Sequence, residues 1–432
     1  MDTKTYGKLC REPVKVNPDY SKKTEVSPFL FGNNLEHTRS CVYKGISAQM
    51  LRNRKFAGKP ACYTGCPMEW YRIGEKTSII FNENGKIGAL GKLDMNFPET
   101  LCYTRHGDGY RMSRSHECNA VTLAGYQDGV VCGIGQTDIA VQKETAYECR
   151  LVAKVWKPTV IKIALTDRDG NLYVQEQLLY ASKEYESKTV ILQSPVWDEQ
   201  AQLQITFVGS GAVCIGAVSL QPEKNFHGMR PDVVEKRREI GVKLLRWPGG
   251  NFAGEYNWKD GLLPADMRAP FEAFLGLETQ AHSMGYDFSE INTDDFVALC
   301  REIGAEPYIT INLTWNTAEE CAQWVEYCNG GADTEYGRLR IQRGYEEPYN
   351  VKFWSLGNEF GFGHMEGENT ARGYLKKCRL YGGKMLEVSP DLTLFTCGPY
   401  PNTEWVEQAA RPLVDMAPLV SLHTYIKQPI FV

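Results

Sequence analysis

No stretch of these 432 residues is apolar for long enough to span a bilayer. The N-terminus, MDTKTYGKLCREPVKVNPDYSKK, has no apolar segment after its charges and does not read as a secretory signal, so the expected location is cytoplasmic. An excess of positive charge is also missing. Lys and Arg number 48 against 53 Asp and Glu, and the net charge of -5 gives no case for binding nucleic acid or an anionic membrane. Paired metal-ligand spacing is absent as well. Among 14 cysteines the one close pair, Cys62 and Cys66, has a spacing of four and no matching second pair, so a zinc site is not expected, and without a signal the thiols are expected to be reduced.

What remains is an ordinary globular composition, 43% hydrophobic and 23% charged, with room for a large core. The 9 Trp and 23 Tyr supply flat faces of the kind sugar rings stack on, although most aromatic side chains simply fill cores.

The texture changes twice along the chain. Residues 1–70 read as a polar lead-in, a short apolar strand VSPFLFG from Val26 to Gly32, and a helix from Tyr43 to Phe56 on apolar spacing of three and four. Residues 71–222 alternate short β-rich runs with Asn-Gly, Asp-Gly and Gly-Asn turn signals, which predicts an inserted all-β sandwich of jelly-roll type. Residues 223–432 alternate helices with apolar strands: a helix over Arg230–Ile240, a strand over Val242–Gly250, a helix over Thr293–Ile303 capped by its Thr, the strand EPYITINL, and a helix over Thr317–Cys328. They continue with VKFWSLGNE, a helix over Ala371–Val388, LTLFTCG, a helix over Glu404–Met416, and LVSLHTY. Strict alternation implies a parallel sheet of the α/β, (β/α)8 barrel class, with about six strands present counting the one at Phe29.

The stretch VKFWSLGNEFGFG, Val351 to Gly363, carries the strongest chemical signal. An apolar run stops at Gly357, and Asn358 and Glu359 follow at once, which is how a buried parallel strand delivers a carboxylate to the sheet edge where such folds keep their chemistry. Most loop glutamates are merely solvated, so the partners decide. A carboxyl that serves as a general acid must keep its proton near neutral pH, which calls for burial or a nearby like charge. Glu359, beside Trp354 and Phe360, suits that task.

In the blocks VSPFLFGNNLEH, RWPGGNFAGEYNWKDGLLP, TDDFVALCREIGAEPYITINL, VKFWSLGNE and VSLHTY, in this order, the chain resembles α-L-arabinofuranosidases of glycoside hydrolase family 51. That family belongs to the clan of retaining glycosidases with a (β/α)8 barrel. The resemblance implies that Glu359 is the general acid/base and that Asn358 bonds the hydroxyl next to the anomeric carbon. It implies substrate contacts for Glu36 and Asn251. Arg246 would brace the carboxylates, with a structural ion pair an equal alternative. His423 and Tyr425 match an HxY pair near the nucleophile, and Asn312 and Trp315 would line the pocket. The substrate expected is an arabinose-containing oligosaccharide. A β-xyloside or β-glucan specificity, or a non-catalytic sugar-binding role, are the alternatives.

In the family the nucleophilic Glu follows the HxY strand by one strand, and no residue here matches it. A nucleophile outside the chain is therefore expected, with a homo-oligomer or a C-terminal completing segment as partner.

Overall fold

Apolar runs that stop at small or polar residues build the sheet that carries the candidate chemistry. The computed structural model describes residues 26–82, 119–273, 283–361, 370–399 and 403–423. Six parallel strands form one sheet in chain order: Gly32–Asn34, Leu244–Trp247, Glu306–Thr310, Phe353–Ser355, Thr393–Pro399 and Leu419–His423, called here the first to sixth. Parallel neighbours require crossovers. Helices Thr293–Ile303, Ala318–Asn329, Glu335–Gln342 and Ala371–Val388 supply them, and Pro231–Ile240 leads into the second strand.

Helix Thr293–Ile303 shows how local chemistry sets these elements. Asn292 caps it through a reciprocal box with Asp295, Gly304 ends it in left-handed backbone, and Phe296, Val297, Cys300 and Ile303 give it a buried stripe. The cap therefore lies one residue before the expected Thr293, whose hydroxyl instead accepts from Trp324 Nε1 at 3.0 Å. Beneath the sheet the indoles of Trp247, Trp324 and Trp354 pack edge to face, and Trp247 stacks on Phe296 at 5.0 Å. Much of the tryptophan surplus is thus core.

Between Tyr71 and Pro222 lie two five-stranded antiparallel sheets. They share one apolar core, to which Leu123, Cys149 and Leu151 come from one sheet and Ile134, Ile163, Ile205 and Phe207 from the other. The turn at Asp169-Gly170 closes a hairpin between Thr159–Thr166 and Leu172–Tyr180. The turn at Asp128-Gly129 does not, because it passes from one sheet to the other. Strand Ala120–Gly125 before it is buried throughout and is already paired on both sides. The Asn84-Gly85 turn lies outside the described residues.

Two expected elements do not form. Val26–Gly32 is not a strand: Ser27 Oγ caps a 3-10 turn over Pro28–Phe31, and the strand begins at Gly32. Tyr43–Phe56 is not a helix. A single wide turn at Val42–Ile46 ends in extended backbone, and the chain then bonds to the β region through Met50 N to Leu220 O (3.0 Å) and Arg52 N to Gln136 Oε1 (2.8 Å). Glu404–Met416 is helical as expected but irregular: Thr403–Trp405, Val406–Ala410 and Arg411–Leu413 follow one another without a break, and Trp405, Ala410, Arg411 and Val414 keep right-handed helical backbone while the hydrogen-bond spacing changes.

The segment Tyr43–Phe56 forms the seam between the two regions. Buried Arg54 donates to Asp266 Oδ1 at 2.6 Å and to both oxygens of Glu290 at 2.7 and 2.8 Å, while Arg150 from the antiparallel sheets donates to Asp266 Oδ2 at 2.9 Å. Burial alone would raise both carboxyls, but the guanidiniums outweigh it and hold Asp266 and Glu290 below the usual carboxylate range. Lys55, fully buried, donates to the carbonyls of Arg268 and Phe288. Burial, reinforced by Arg54, pushes its ammonium well below its ordinary value.

Candidate active site

The carboxyl ends of the first, second, fourth and sixth strands meet. After the fourth strand, Gly357 takes a φ of 83° and Glu359 one of 51°, a left-handed pair that folds the chain back over the strand tip. Ser355 Oγ donates to Gly357 O at 3.0 Å, and Tyr374 Oη donates to Leu356 O at 2.8 Å, so this turn is tied down on both sides. Phe360 stacks on Tyr374 at 5.3 Å and covers it. Asn358 and Glu359 are left 1% and 6% exposed, which is deep for a loop carboxylate.

Each polar end of Asn358 has a partner. Arg246, from the second strand, donates from Nη2 to Asn358 Oδ1 at 2.9 Å, and Asn358 Nδ2 donates to Asn251 Oδ1 at 3.0 Å. Arg246 also lies over the Tyr308 ring, 5.9 Å from its centroid. It thus fixes the amide beside the candidate acid; its nearest partner here is Asn358 rather than a carboxylate. His423 brings Nδ1 to 2.8 Å from Glu359 Oε1.

Glu36 leaves the first strand beside the Gly249-Gly250 turn. A Cβ at Gly249 would sit 2.3 Å from Glu36 Cγ, and one at Gly250 would sit 2.8 Å from Glu36 Oε1. The double glycine is therefore the space the Glu36 side chain occupies. The ladder continues past the strand with Leu35 N donating to Arg246 O at 2.8 Å, which draws Glu36 toward the second strand's tip.

Asn312 stands differently. Its Nδ2 donates to Tyr256 O at 3.1 Å and its Oδ1 accepts from the backbone of Thr314 and Trp315, so the side chain organises its own loop. Trp315 is half-buried in that loop. Tyr425 lies outside the described residues.

Sequence reasoning missed the brace behind Glu36. His37 is wholly buried, with Nδ1 3.1 Å from Asp287 Oδ2 and Nε2 accepting from Trp247 Nε1 at 3.1 Å. Its ring stacks on Phe252 at 4.4 Å. Alternation in LEH, with Leu35 and His37 buried on either side of Glu36, was the available signal. Ser421, two residues before His423, was also missed, and its Oγ lies 3.0 Å from His423 Nε2. No group of three His, Cys, Asp or Glu suited to a metal ion occurs among the described residues. No described helix is long and apolar enough to cross a membrane.

Fold and site together define a parallel α/β domain with a buried carboxylate and polar partners at its strand tips. Residues 236–432 match the family model described as the alpha-L-arabinofuranosidase 1 domain. Over 221 residues the chain is 36% identical to alpha-L-arabinofuranosidase C of Emericella nidulans, a match covering 47% of this chain and 42% of that protein. It is 34% identical over 209 residues to an intracellular exo-alpha-(1->5)-L-arabinofuranosidase of Halalkalibacterium halodurans, covering 47% and 40%. The matches span about two-fifths of these relatives' length. The fold is similar to that of an arabinose-bound GH51 α-L-arabinofuranosidase, with a TM-score of 0.66 at 14% identity over 85% of this chain and 58% of the other.

Proposed function

We propose that the chain carries most of the catalytic domain of a retaining glycosidase that releases terminal α-L-arabinofuranosyl units from arabinose-containing oligo- and polysaccharides. The observation that carries this reading is the buried Glu359 carboxylate at a parallel strand tip, 2.8 Å from His423 Nδ1, next to an Asn358 held by Arg246 and Asn251. The relatives' names, all α-L-arabinofuranosidases, support the sugar.

In this mechanism Glu359 protonates the glycosidic oxygen and later takes a proton from water. Asn358, oriented by Arg246, bonds the hydroxyl beside the anomeric carbon, where a hydrogen bond strengthens as charge develops. Glu36 and Asn251 bind hydroxyls of the terminal sugar. Trp315, on the loop Asn312 organises, forms a wall, and the resemblance gives Tyr425 a role beside the nucleophile. The nucleophilic carboxylate is assigned to no residue of the 432. The sheet is of (β/α)8 type, with residues 1–70 supplying its first strand and 223–432 strands two to six. Residues 71–222 form a jelly-roll-like sandwich of carbohydrate-binding character. The protein works in the cytoplasm without a cofactor.

Glu359→Gln tests the central role in protein that turns over. Hydrolysis of arabino-oligosaccharides should fall by about 10²–10⁴-fold. The first turnover of a dinitrophenyl arabinofuranoside, whose leaving group needs no proton, should fall by less than about tenfold. Equal losses on both substrates would refute the acid/base assignment.

A further inference from the structure

Ser421 and His423 stand two residues apart on the sixth strand, so extended backbone turns both side chains to one face. Ser421 Oγ lies 3.0 Å from His423 Nε2, and His423 Nδ1 lies 2.8 Å from Glu359 Oε1. The three groups form one hydrogen-bonded row from the sixth strand to the tip of the fourth.

A proton inventory decides what this row does. A neutral imidazole has one donor nitrogen and one acceptor nitrogen, whereas a hydroxyl can do either. With the proton on Nδ1, the ring donates to Oε1, Nε2 becomes the acceptor, and the Ser421 hydroxyl donates to it. The other tautomer sets a bare Nδ1 against Oε1, two acceptors in contact, unless Oε1 itself carries a proton. Ser421 completes the first arrangement without adding a charge.

We propose that Ser421 is a positioning residue: by donating to Nε2 it holds His423 as the Nδ1–H tautomer, keeps Oε1 an acceptor, and confines the transferable proton of Glu359 to Oε2. The inference rests on the acid/base reading of Glu359. In the first half-reaction the proton passes from Oε2 to the glycosidic oxygen as the anomeric carbon exchanges its bond to that oxygen for one to the nucleophilic carboxylate, which lies outside the 432 residues. In the second, Oε2 takes one proton from the attacking water as the bond to the nucleophilic carboxylate breaks and the bond to the water oxygen forms. The Nδ1–H and Ser421 O–H protons stay in place through both steps, so the acid always fires from the same oxygen.

Two-bond proton–nitrogen correlation spectra of the labelled 432-residue chain distinguish the tautomers of neutral imidazoles, and with 7 histidines the His423 signal is assigned by its loss in His423→Gln. The expected result is the Nδ1–H tautomer in the unaltered chain, a rise of the Nε2–H form to about half in Ser421→Ala, and the original spectrum in Ser421→Thr. An Nε2–H tautomer in the unaltered chain, or an unchanged Ser421→Ala spectrum, overturns the proposal. In protein that turns over, Ser421→Ala should lower kcat on alkyl arabinosides about tenfold with KM unchanged, and Ser421→Thr should restore it. Because the tautomer is read without turnover, failure of the glycosidase reading and failure of the tautomer assignment are separate results.

Discussion

Large apolar side chains reach solvent in both halves of the molecule, but in different patterns. In the antiparallel region Ile80, Trp156, Leu172, Leu179 and Ile191 are exposed on four different strands or turns. In the parallel sheet they gather at its two outer strands: Phe29, Leu30 and Phe31 run into the first, and Leu419, Val420 and Leu422 lie on the sixth. Scattered exposure is normal for a folded surface, whereas apolar side chains along an unpaired strand mark a surface that further strands can cover. Among the described residues the antiparallel region satisfies its own core, and the parallel sheet has two outer strands with exposed apolar side chains beside its candidate site.

The seam is where these halves depend on each other, and Arg54→Ala should have the largest effect. It leaves Asp266 and Glu290 buried with much of their compensating charge gone, at a cost of about 3–5 kcal/mol. Urea unfolding should then lose a single transition and show two. Acid should act on the same contacts. Both carboxyls are held below their usual range, so their contribution is present above about pH 4, the ordinary carboxylate value, and fades as pH falls toward their folded values. Unfolding at pH 3 should therefore narrow the gap between Arg54→Ala and the unaltered chain; an equal gap at pH 3 and pH 7 would sink the seam argument.

Glycines sharpen the contrast next. Gly249 has a φ of 129°, and a Cβ there meets Glu36 Cγ at 2.3 Å, while Gly170 in the antiparallel region has a φ of 88° with nothing within 4 Å. Both Gly→Ala changes strain the backbone by about 1–3 kcal/mol. Only Gly249→Ala should also displace Glu36 and weaken L-arabinose binding, by about tenfold in calorimetry. Equal affinities in the two variants would show that Glu36 does not contact the sugar.

How legible each half was in the sequence follows from the range of the interactions that shape it. Helix Ala371–Val388 and the Gly357-Asn358-Glu359 strand tip were readable, because cap, periodicity and the stop at glycine are all local. The stretch from Tyr43 to Phe56 misled because its helical spacing loses to contacts with Gln136 and Leu220, far along the chain. Arg54 was invisible for the same reason: its partners lie 212 and 236 residues away, and nothing beside it marks a buried guanidinium. Ser421 was legible in principle, since the Ser-x-His spacing places both on one strand face, yet only the structure sets that face against Glu359.

The smallest effects test the edges themselves. Leu30 is 74% exposed and Leu422 52%, so replacing both with Lys removes little buried area and should change unfolding free energy by no more than about 0.5 kcal/mol. Its effect should fall on association instead, because a lysine on an outer strand, or on the turn that leads into one, disfavours pairing with a second edge. Analytical ultracentrifugation of the 432-residue chain should show concentration-dependent association that the double substitution reduces. Leu172→Lys, 59% exposed in the antiparallel region, is equally neutral for stability and should leave association unchanged. If Leu172→Lys disperses the chain as well as the edge pair does, the apolar strands of the parallel sheet are not special. The contrast between a self-satisfied region and an open one would then rest on the seam alone.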